Sequence, residues 1–263
     1  MLPLFASDRR KGAEMSAFFE DTYLVDSRDT DLFGQCRPSA LLGFLQEAAI
    51  QAAGELGVSR EEMVRQYHAF WMLSRIRYTL VRPLRCGERV RVKTWHRGGK
   101  AAVMYRDFDL FIGNEHVGEA ISIWVLADLD NHKLRRLSEI SQFEGTDGGA
   151  LCRTEQLRKP RLPEDLVLSE VRRMHYSDTD INGHVNNGKY ADFACDALAL
   201  ERLGAERFVS SLQLGYLAEC LPGEELSLYT GQKEGEYFAL GRGEEGKERF
   251  QAILTLDNLA PED

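Results

Sequence analysis

The chain carries two copies of one short polar motif, and this internal repeat constrains the folds that the sequence can adopt. The first copy reads DTDLFGQ at residues 29–35, and the second reads DTDINGH at residues 178–184. Two matching turns follow, CGE at residues 86–88 and PGE at residues 222–224. In both copies a helical apolar run and then strand-like segments come after the motif. This shared order of loop, helix and strands indicates an internal duplication.

The first copy predicts one long helix followed by antiparallel strands. Residues 40–56 are rich in alanine and leucine, and their apolar positions cover more than a narrow stripe. We therefore expect this helix to be buried on most sides. Ser59 and Glu62 form a capping-box pattern, which predicts a second, short helix that ends at Tyr67. Strand-like segments lie at residues 18–25, 71–80, 88–97, 101–112 and 116–128.

A helix that is apolar nearly all round needs a sheet curved around it. The sequence therefore predicts an α+β fold of two tandem hotdog domains, each a long helix wrapped by a curved antiparallel sheet. We place the N-terminal hotdog domain at residues 17–146 and the C-terminal one at residues 165–259. The Gly-rich and Pro-containing segment at residues 147–164 predicts a linker between them.

Composition and charge exclude several function classes. The net charge is −9, whereas nucleic-acid-binding domains are usually basic. No apolar run approaches the length of about 18 residues that a membrane span requires. The five cysteines are widely spaced without a CxxC pair, so they predict neither a zinc site nor a disulfide framework. We expect a cytoplasmic protein with no metal or other cofactor, no nucleic-acid partner and no membrane association.

The two copies differ in their polar groups, and this difference predicts where the chemistry lies. Asp31 and Asp180 occupy the same position of the motif, so part of their role is expected to be structural. Other polar groups occur in the second copy alone. These are Asn182, His184, Glu219 and Cys220, where the first copy has Phe33, Gln35, Pro83 and Leu84. The asymmetry predicts one site per chain, built mainly by the C-terminal half; a polar loop that only caps a helix is the alternative.

These residues resemble the acyl-acyl carrier protein thioesterases, the double-hotdog hydrolases of plant plastids and bacteria. The family pattern Asp-x-Asn-x-His-Val-Asn-Asn is matched by residues 180–187, and its later Glu-Cys pair by Glu219-Cys220. In the first copy, residues 124–129 look like a strand of the family, and residues 133–137 look like the segment that leads out of it. The similarity extends over residues 18–256. It implies a fatty acid biosynthesis enzyme that hydrolyses acyl chains from the phosphopantetheine of acyl carrier protein.

Hydrolysis of a thioester needs an activated water, a held carbonyl and a stabilised oxyanion. We assign Glu219 as the general base, with His184 sharing the proton transfer and Asp180 orienting the network. Asn182 is expected to donate to the carbonyl oxygen or to position water. Unpaired helix-start amides near Asn187 and Gly188 are expected to complete the oxyanion site. In the competing mechanism Cys220 is a nucleophile activated by His184 and Asn182; a cysteine in the pocket wall is the structural alternative.

In related proteins the N-terminal half supplies much of the acyl channel. The expected lining is the helix at residues 40–56 with Met72, Phe108 and Trp124, although most of these residues also suit a core. An acidic carrier protein would need a local basic patch for docking. The densest basic run lies within residues 82–97, where strand alternation puts Arg89, Arg91 and Lys93 on one face. A solvated strand surface is the alternative for that face, and Arg172-Arg173 is a second candidate patch.

Three other functions fit the same residues. The first is hydrolysis of acyl-coenzyme A, because coenzyme A and the carrier protein present the same phosphopantetheine arm. The second is a hotdog module that binds acyl thioesters without cleaving them, although the intact Asp180, Asn182, His184 and Glu219 argue against it. The third is a hotdog dehydratase, which releases no thiol. The sequence leaves open the acyl-chain length, the true carrier and whether the protein forms a homodimer.

Overall fold

The computed structural model describes residues 18–140 and 157–259. The helices in these ranges are α1 (Pro38–Glu55), α2 (Arg60–Tyr67) and α3 (Lys189–Ala197). The strands of the N-terminal half are β1 (Phe19–Leu24), β2 (Ala69–Leu80), β3 (Arg89–Lys100), β4 (Val103–Ile112) and β5 (Glu115–Asp128). Those of the C-terminal half are β6 (Val167–Arg173), β7 (Arg207–Tyr216), β8 (Glu225–Lys233), β9 (Glu236–Gly243) and β10 (Glu248–Asn258).

The strands form one antiparallel sheet in the order β1-β3-β4-β5-β2-β7-β10-β9-β8-β6. The halves meet where β2 pairs with β7, and Arg77 lies directly opposite Gln213. These two residues are 136 positions apart, which is the same spacing that relates the CGE and PGE turns. A pseudo-twofold axis therefore passes between them, and the predicted double-hotdog arrangement is confirmed as one continuous sheet. The domain boundaries within it stay a prediction.

The hydrogen bonds of the two copies confirm the duplication. The amide of Asp31 donates to the carbonyl of Gln35 at 2.8 Å, and that of Asp180 donates to His184 at 3.0 Å. Gly34 and Gly183 both have positive φ at the same point of this loop, +73° and +83°. Further matched pairs are Arg37 N to Asp29 O with Asn186 N to Asp178 O, and Val25 N to Glu88 O with Met174 N to Glu224 O.

Helices α1 and α3 pack on one face of the sheet and share a core with both halves. The prediction that α1 is buried on most sides is wrong for one stripe of it. The sheet covers only part of the helix, which buries six leucine and alanine side chains and exposes a line of positions spaced by three or four residues. The positions of this line are Gly43, Glu47, Ile50 and Gly54, and Glu55 at the end of the helix is exposed as well.

The first copy has 13 more residues than the second between the shared loop and the shared turn, because the offset falls from 149 to 136. Helix α2 accounts for the insertion and packs beside β2. Its capping box is confirmed: Ser59 Oγ accepts from the Glu62 amide at 3.3 Å, and Glu62 accepts from the Ser59 amide at 3.2 Å.

The predicted linker lies partly within the described residues, at 157–164, and its part at residues 147–156 lies outside them. Leu157 is buried against Ile121 and Ile123, and the carbonyl of Arg158 accepts from Gln213 Nε2 at 2.7 Å. This segment therefore lies on the face of the sheet opposite the helices. In the described ranges, every helix is too short or too polar to cross a bilayer.

Candidate active site

The polar loop of the second copy is built by its own side chains. The Asp178 carboxylate accepts from the His175 amide at 2.8 Å, and the Asp180 carboxylate accepts from the Asn182 amide at 2.8 Å. The first copy repeats the second of these bonds between Asp31 and Phe33 at 2.9 Å. The shared aspartate thus has the structural role that its presence in both copies predicts, because it closes the turn.

His184 lies between two carboxylates at the surface of the C-terminal half. Its Nδ1 is 4.0 Å from Asp180 Oδ1, and its Nε2 is 3.9 Å from Glu219 Oε1. These separations exceed direct hydrogen bonds and leave room for a bridging water or a small side-chain rotation. Asp180 and His184 are mostly buried, whereas the Glu219 side chain is 47% exposed. Among the described residues, nothing shields Glu219 fully from water.

Asn182 lies at the exposed tip of the loop, next to Ile181, which is 97% exposed. Within the part of the chain that the structure describes, its carboxamide makes no hydrogen bond, and it does not line the cavity described below. Its predicted contact with the thioester stays a prediction.

Cys220 is fully buried in the shared core. Its backbone amide faces the Tyr190 hydroxyl at 3.3 Å, and its carbonyl accepts from the Val185 amide at 2.9 Å. Burial raises the pKa of the Cys220 thiol, although its hydrogen bond with Tyr190 acts in the opposite direction. A nucleophilic cysteine needs a lowered pKa and access to substrate, so this geometry disfavours the nucleophile role. Cys220 is a residue of the core and does not line the cavity described below.

Most backbone amides at the start of α3 already donate hydrogen bonds within the protein. The Gly188 amide donates to Asn186 Oδ1 at 2.8 Å, and those of Val185, Asn186 and Lys189 donate to backbone carbonyls. The Gly188 amide is therefore not the oxyanion donor that the sequence predicts, because the Asn186 side chain folds back onto it. Among the described residues the Asn187 amide has no partner, so it is free to donate at the start of α3.

A small cavity, partly open to solvent, lies between α1, the sheet and this loop. Its wall is apolar except near the loop, and it combines residues of both halves. The lining residues are Leu42, Leu45, Gln46, Leu73, Ile76, Phe108, Trp124, Asn187, Gly188 and Tyr216. Residues of α1, Phe108 and Trp124, which are expected in the acyl channel, line this cavity together with Asn187 and Gly188, which are expected at the oxyanion site. Their contacts with a substrate stay a prediction.

The expected lining residue Met72 is absent from this described wall, and its neighbour Leu73 takes the position. Successive residues of a strand point to opposite faces of the sheet, so Met72 lies on the face away from the cavity. A register shift between Leu73 and Arg75 then brings Ile76 to the same face as Leu73. Sequence alternation alone does not reveal this bulge.

Two polar residues of the cavity were not predicted from the sequence. Tyr216 donates its hydroxyl proton to the Asn187 carbonyl at 3.1 Å and so holds the loop against β7. Gln46 accepts from Asn187 Nδ2 at 3.4 Å, which joins the helix of one half to the loop of the other. A comparison of the copies offers a signal for Gln46, because its counterpart in the second copy is Cys195.

The predicted basic face of β3 is confirmed in geometry but is partly neutralised. Glu20 on β1 pairs with Arg91 at 3.1 Å and with Lys93 at 3.7 Å, while Arg89 is exposed without an ion pair among the described residues. The Arg97 side chain is mostly buried, because it pairs with buried Asp107 at 2.6 Å. Charges along one strand do not reveal the acidic partner on the next.

Sequence comparison places two family models on the chain. The model of the acyl-ACP thioesterase N-terminal domain matches residues 16–142, and that of the acyl-ACP thioesterase C-terminal domain matches residues 167–255. A palmitoyl-acyl carrier protein thioesterase of Gossypium hirsutum is 30% identical over 84% of this chain. A dodecanoyl-(acyl-carrier-protein) hydrolase of Cinnamomum camphora is 26% identical over 81%. The chain spans 56% and 59% of these two relatives, which are both chloroplastic.

Solved structures show the same fold. An acyl-ACP thioesterase from Bacteroides thetaiotaomicron aligns with a TM-score of 0.83 at 21% identity, covering 92% of this chain and 98% of that one. The 12:0-ACP thioesterase from Umbellularia californica aligns with a TM-score of 0.80 at 20% identity, covering 94% and 100%. The double-hotdog fold is therefore confirmed over nearly the whole chain.

Proposed function

The chain belongs to the acyl-ACP thioesterase family, and from this premise we propose that it hydrolyses fatty acyl-acyl carrier protein to free fatty acid and holo-carrier protein. One observation carries the proposal beyond family membership. His184, with a carboxylate on each side, stands next to a loop whose Asn187 and Gly188 line an apolar cavity. We therefore place the reactive water at His184 and the acyl chain toward the neighbouring cavity.

In the proposed mechanism, water attacks the thioester carbon while Glu219 and His184 take its proton. The carbonyl oxygen becomes an oxyanion that accepts a hydrogen bond from the Asn187 amide. The C–S bond then breaks, and the pantetheine sulfur leaves as a thiol with the proton that the water gave up. Asp180 fixes the orientation of His184, and the acyl chain occupies the cavity beside Trp124.

Thiol release tests the proposal directly. We expect free thiol from fatty acyl-carrier protein substrates, with a slower reaction for acyl-coenzyme A of the same chain length. Equal or faster release from acyl-coenzyme A would instead make the coenzyme A thioesters the substrates. Acyl binding without thiol release would support the binding module, and loss of water from a 3-hydroxyacyl substrate would support the dehydratase.

Replacement of Cys220 by alanine separates the two mechanisms. We expect turnover to be retained, because the buried thiol with its raised pKa takes no part in the proposed chemistry. Alanine is preferred to serine, since a hydroxyl at this apolar site adds a polar group to the core. Loss of thiol release, with the fold intact by circular dichroism, would restore the nucleophile mechanism.

We propose that the basic face of β3 receives the acidic carrier protein. The combined substitution Arg89→Glu and Lys93→Glu is expected to lower kcat/KM for acyl-carrier protein roughly tenfold, because surface charges steer association. Acyl-coenzyme A hydrolysis should change little. The double variant Lys233→Glu with Lys247→Glu, at two exposed positions, makes the same change in net charge and is the control. An equal fall for both substrates would show that the substitutions disturb the site rather than docking.

A cytoplasmic location and two functional units complete the proposal. Four cysteines in the described ranges are free thiols, which suits a reducing compartment. We assign the acyl pocket and a degenerate site to residues 17–146 and the catalytic residues to residues 165–259, with the linker at 147–164. The asymmetric polar groups of the two loops support this division.

A further inference from the structure

We propose that Gln46 is a second hydrogen-bond donor to the thioester carbonyl oxygen, so that the oxyanion site is assembled from both halves of the chain. The inference rests on the proposed function and extends it, because it assigns a reacting-atom contact to the N-terminal half. Gln46 belongs to α1, whereas the other proposed donor, the Asn187 amide, belongs to the loop before α3.

The position of Gln46 is the first support. It lies one residue after fully buried Leu45 on α1 and lines the cavity next to the loop. Its Oε1 accepts from Asn187 Nδ2 at 3.4 Å. With its oxygen held by Asn187, its Nε2 has two N–H groups to offer beside the same residue whose amide is the proposed oxyanion donor.

An inventory of the polar groups in the cavity wall is the second support. Trp124 Nε1 donates to Ser122 at 2.9 Å, the Tyr216 hydroxyl donates to Asn187, and the Gly188 amide donates to Asn186. Within the described residues, two donors of the wall have no acceptor: Gln46 Nε2 and the Asn187 amide. An oxyanion accepts two or more hydrogen bonds, and these two donors suffice.

The pseudo-twofold axis provides an internal comparison. The shared offset of 149 relates Asn187 to Pro38 and Gln46 to Cys195. Proline has no amide hydrogen, and burial raises the pKa of the Cys195 thiol, which is at best a weak donor. Gln46 and the Asn187 amide are therefore both present at one site, whereas the site related to it by the pseudo-twofold axis has Cys195 and Pro38 in their places. That site is also the one that carries His184.

A glutamine suits this role chemically. Its carboxamide is neutral, so it donates at every pH at which the enzyme works. Its contribution should grow as negative charge develops on the oxygen, because hydrogen bonds to charged acceptors are the stronger ones. Loss of one oxyanion donor typically costs about 10² to 10³ in kcat. Gln46 is thus expected to affect kcat more than KM.

A pair of inert analogues tests the contact without requiring hydrolysis. The first acyl-pantetheine analogue is a ketone, in which CH₂ replaces the sulfur and the carbonyl remains. In the second analogue CH₂ replaces the carbonyl as well. In Gln46→Leu we expect the affinity for the ketone to fall roughly fivefold relative to the second analogue, as one hydrogen bond is lost. The nearly isosteric variant Gln46→Glu also removes the amide donor, so it should show the same change. It replaces the leucine variant if that variant fails to fold.

Kinetics of the same variants complete the test. Gln46→Leu should lower kcat about 10²-fold, while Gln51→Ala, which lies outside the cavity on the same helix and removes only a bond to Glu47, should not. An unchanged analogue ratio in both folded variants would overturn the inference. A changed ratio in a protein that releases no thiol would leave the carbonyl contact standing and refute the proposed hydrolysis. Failure of the wild type to bind either analogue would overturn both.

Discussion

His184→Ala and Glu219→Gln are each expected to lower kcat by about 10² to 10⁴, the usual contribution of a general acid or base. Glutamine has the shape of Glu219 but cannot take a proton from water. Alanine at position 184 removes the only group that lies within 4 Å of both Asp180 and Glu219 among the described ion pairs. Thiol release at saturating acyl-carrier protein measures the effect on kcat.

The double variant shows whether the two side chains act together. If His184 and Glu219 handle one proton in one step, the double variant should be about as slow as the slower single variant. Two independent roles would instead multiply the losses. His175→Ala and Glu225→Gln are matched controls, because both residues are exposed neighbours of the site in sequence. Wild-type rates in His184→Ala would refute the site itself.

The features that the sequence predicts best depend on contacts between residues that are close in sequence. The DTD loop closes through bonds of its own aspartates, and the capping box of α2 spans only three residues. Each of these motifs carries its partners within itself. The duplication could therefore be predicted from two heptapeptides and a turn, and the same hydrogen bonds recur in both halves of the structure.

The features that the sequence does not reveal depend on distant partners or on local irregularity. The contact of Gln46 with Asn187 crosses 141 positions and joins two halves. Glu20 reduces the charge of the basic face from a separate strand, and the bulge after Leu73 changes which residues of β2 face the cavity. A residue pattern along one element contains no information on any of these.

The comparison of copies separates structural from chemical roles where a pattern alone does not. Asp31 and Asp180 bond the loop in the same way, so their shared presence reflects folding. Gln35, which stands where the second copy has His184, is buried and donates to the Arg207 carbonyl at 2.9 Å. The first copy has thus exchanged a titratable group for one that ties the two halves together.

Asp107→Asn is expected to cost about 3 to 5 kcal/mol of unfolding free energy, the usual effect of breaking a buried ion pair on one side. The Asp107 side chain is fully buried and that of Arg97 is 12% exposed, with Nη2 and Oδ1 at 2.6 Å. The amide removes the negative charge that lies 2.6 Å from the guanidinium in a protein interior. Urea titration of both proteins measures the difference.

Two further variants show whether the loss of unfolding free energy comes from the charge of Asp107 or from its shape. Asp109→Asn removes an aspartate two positions along the same strand face, where the pair with His116 at 3.2 Å is more exposed, and should cost less than about 1 kcal/mol. In the double variant Asp107→Leu with Arg97→Met, both charges are gone, so much of the stability should return. A double variant no more stable than Asp107→Asn would mean that the pair fixes the geometry of β3 and β4 beyond its electrostatics.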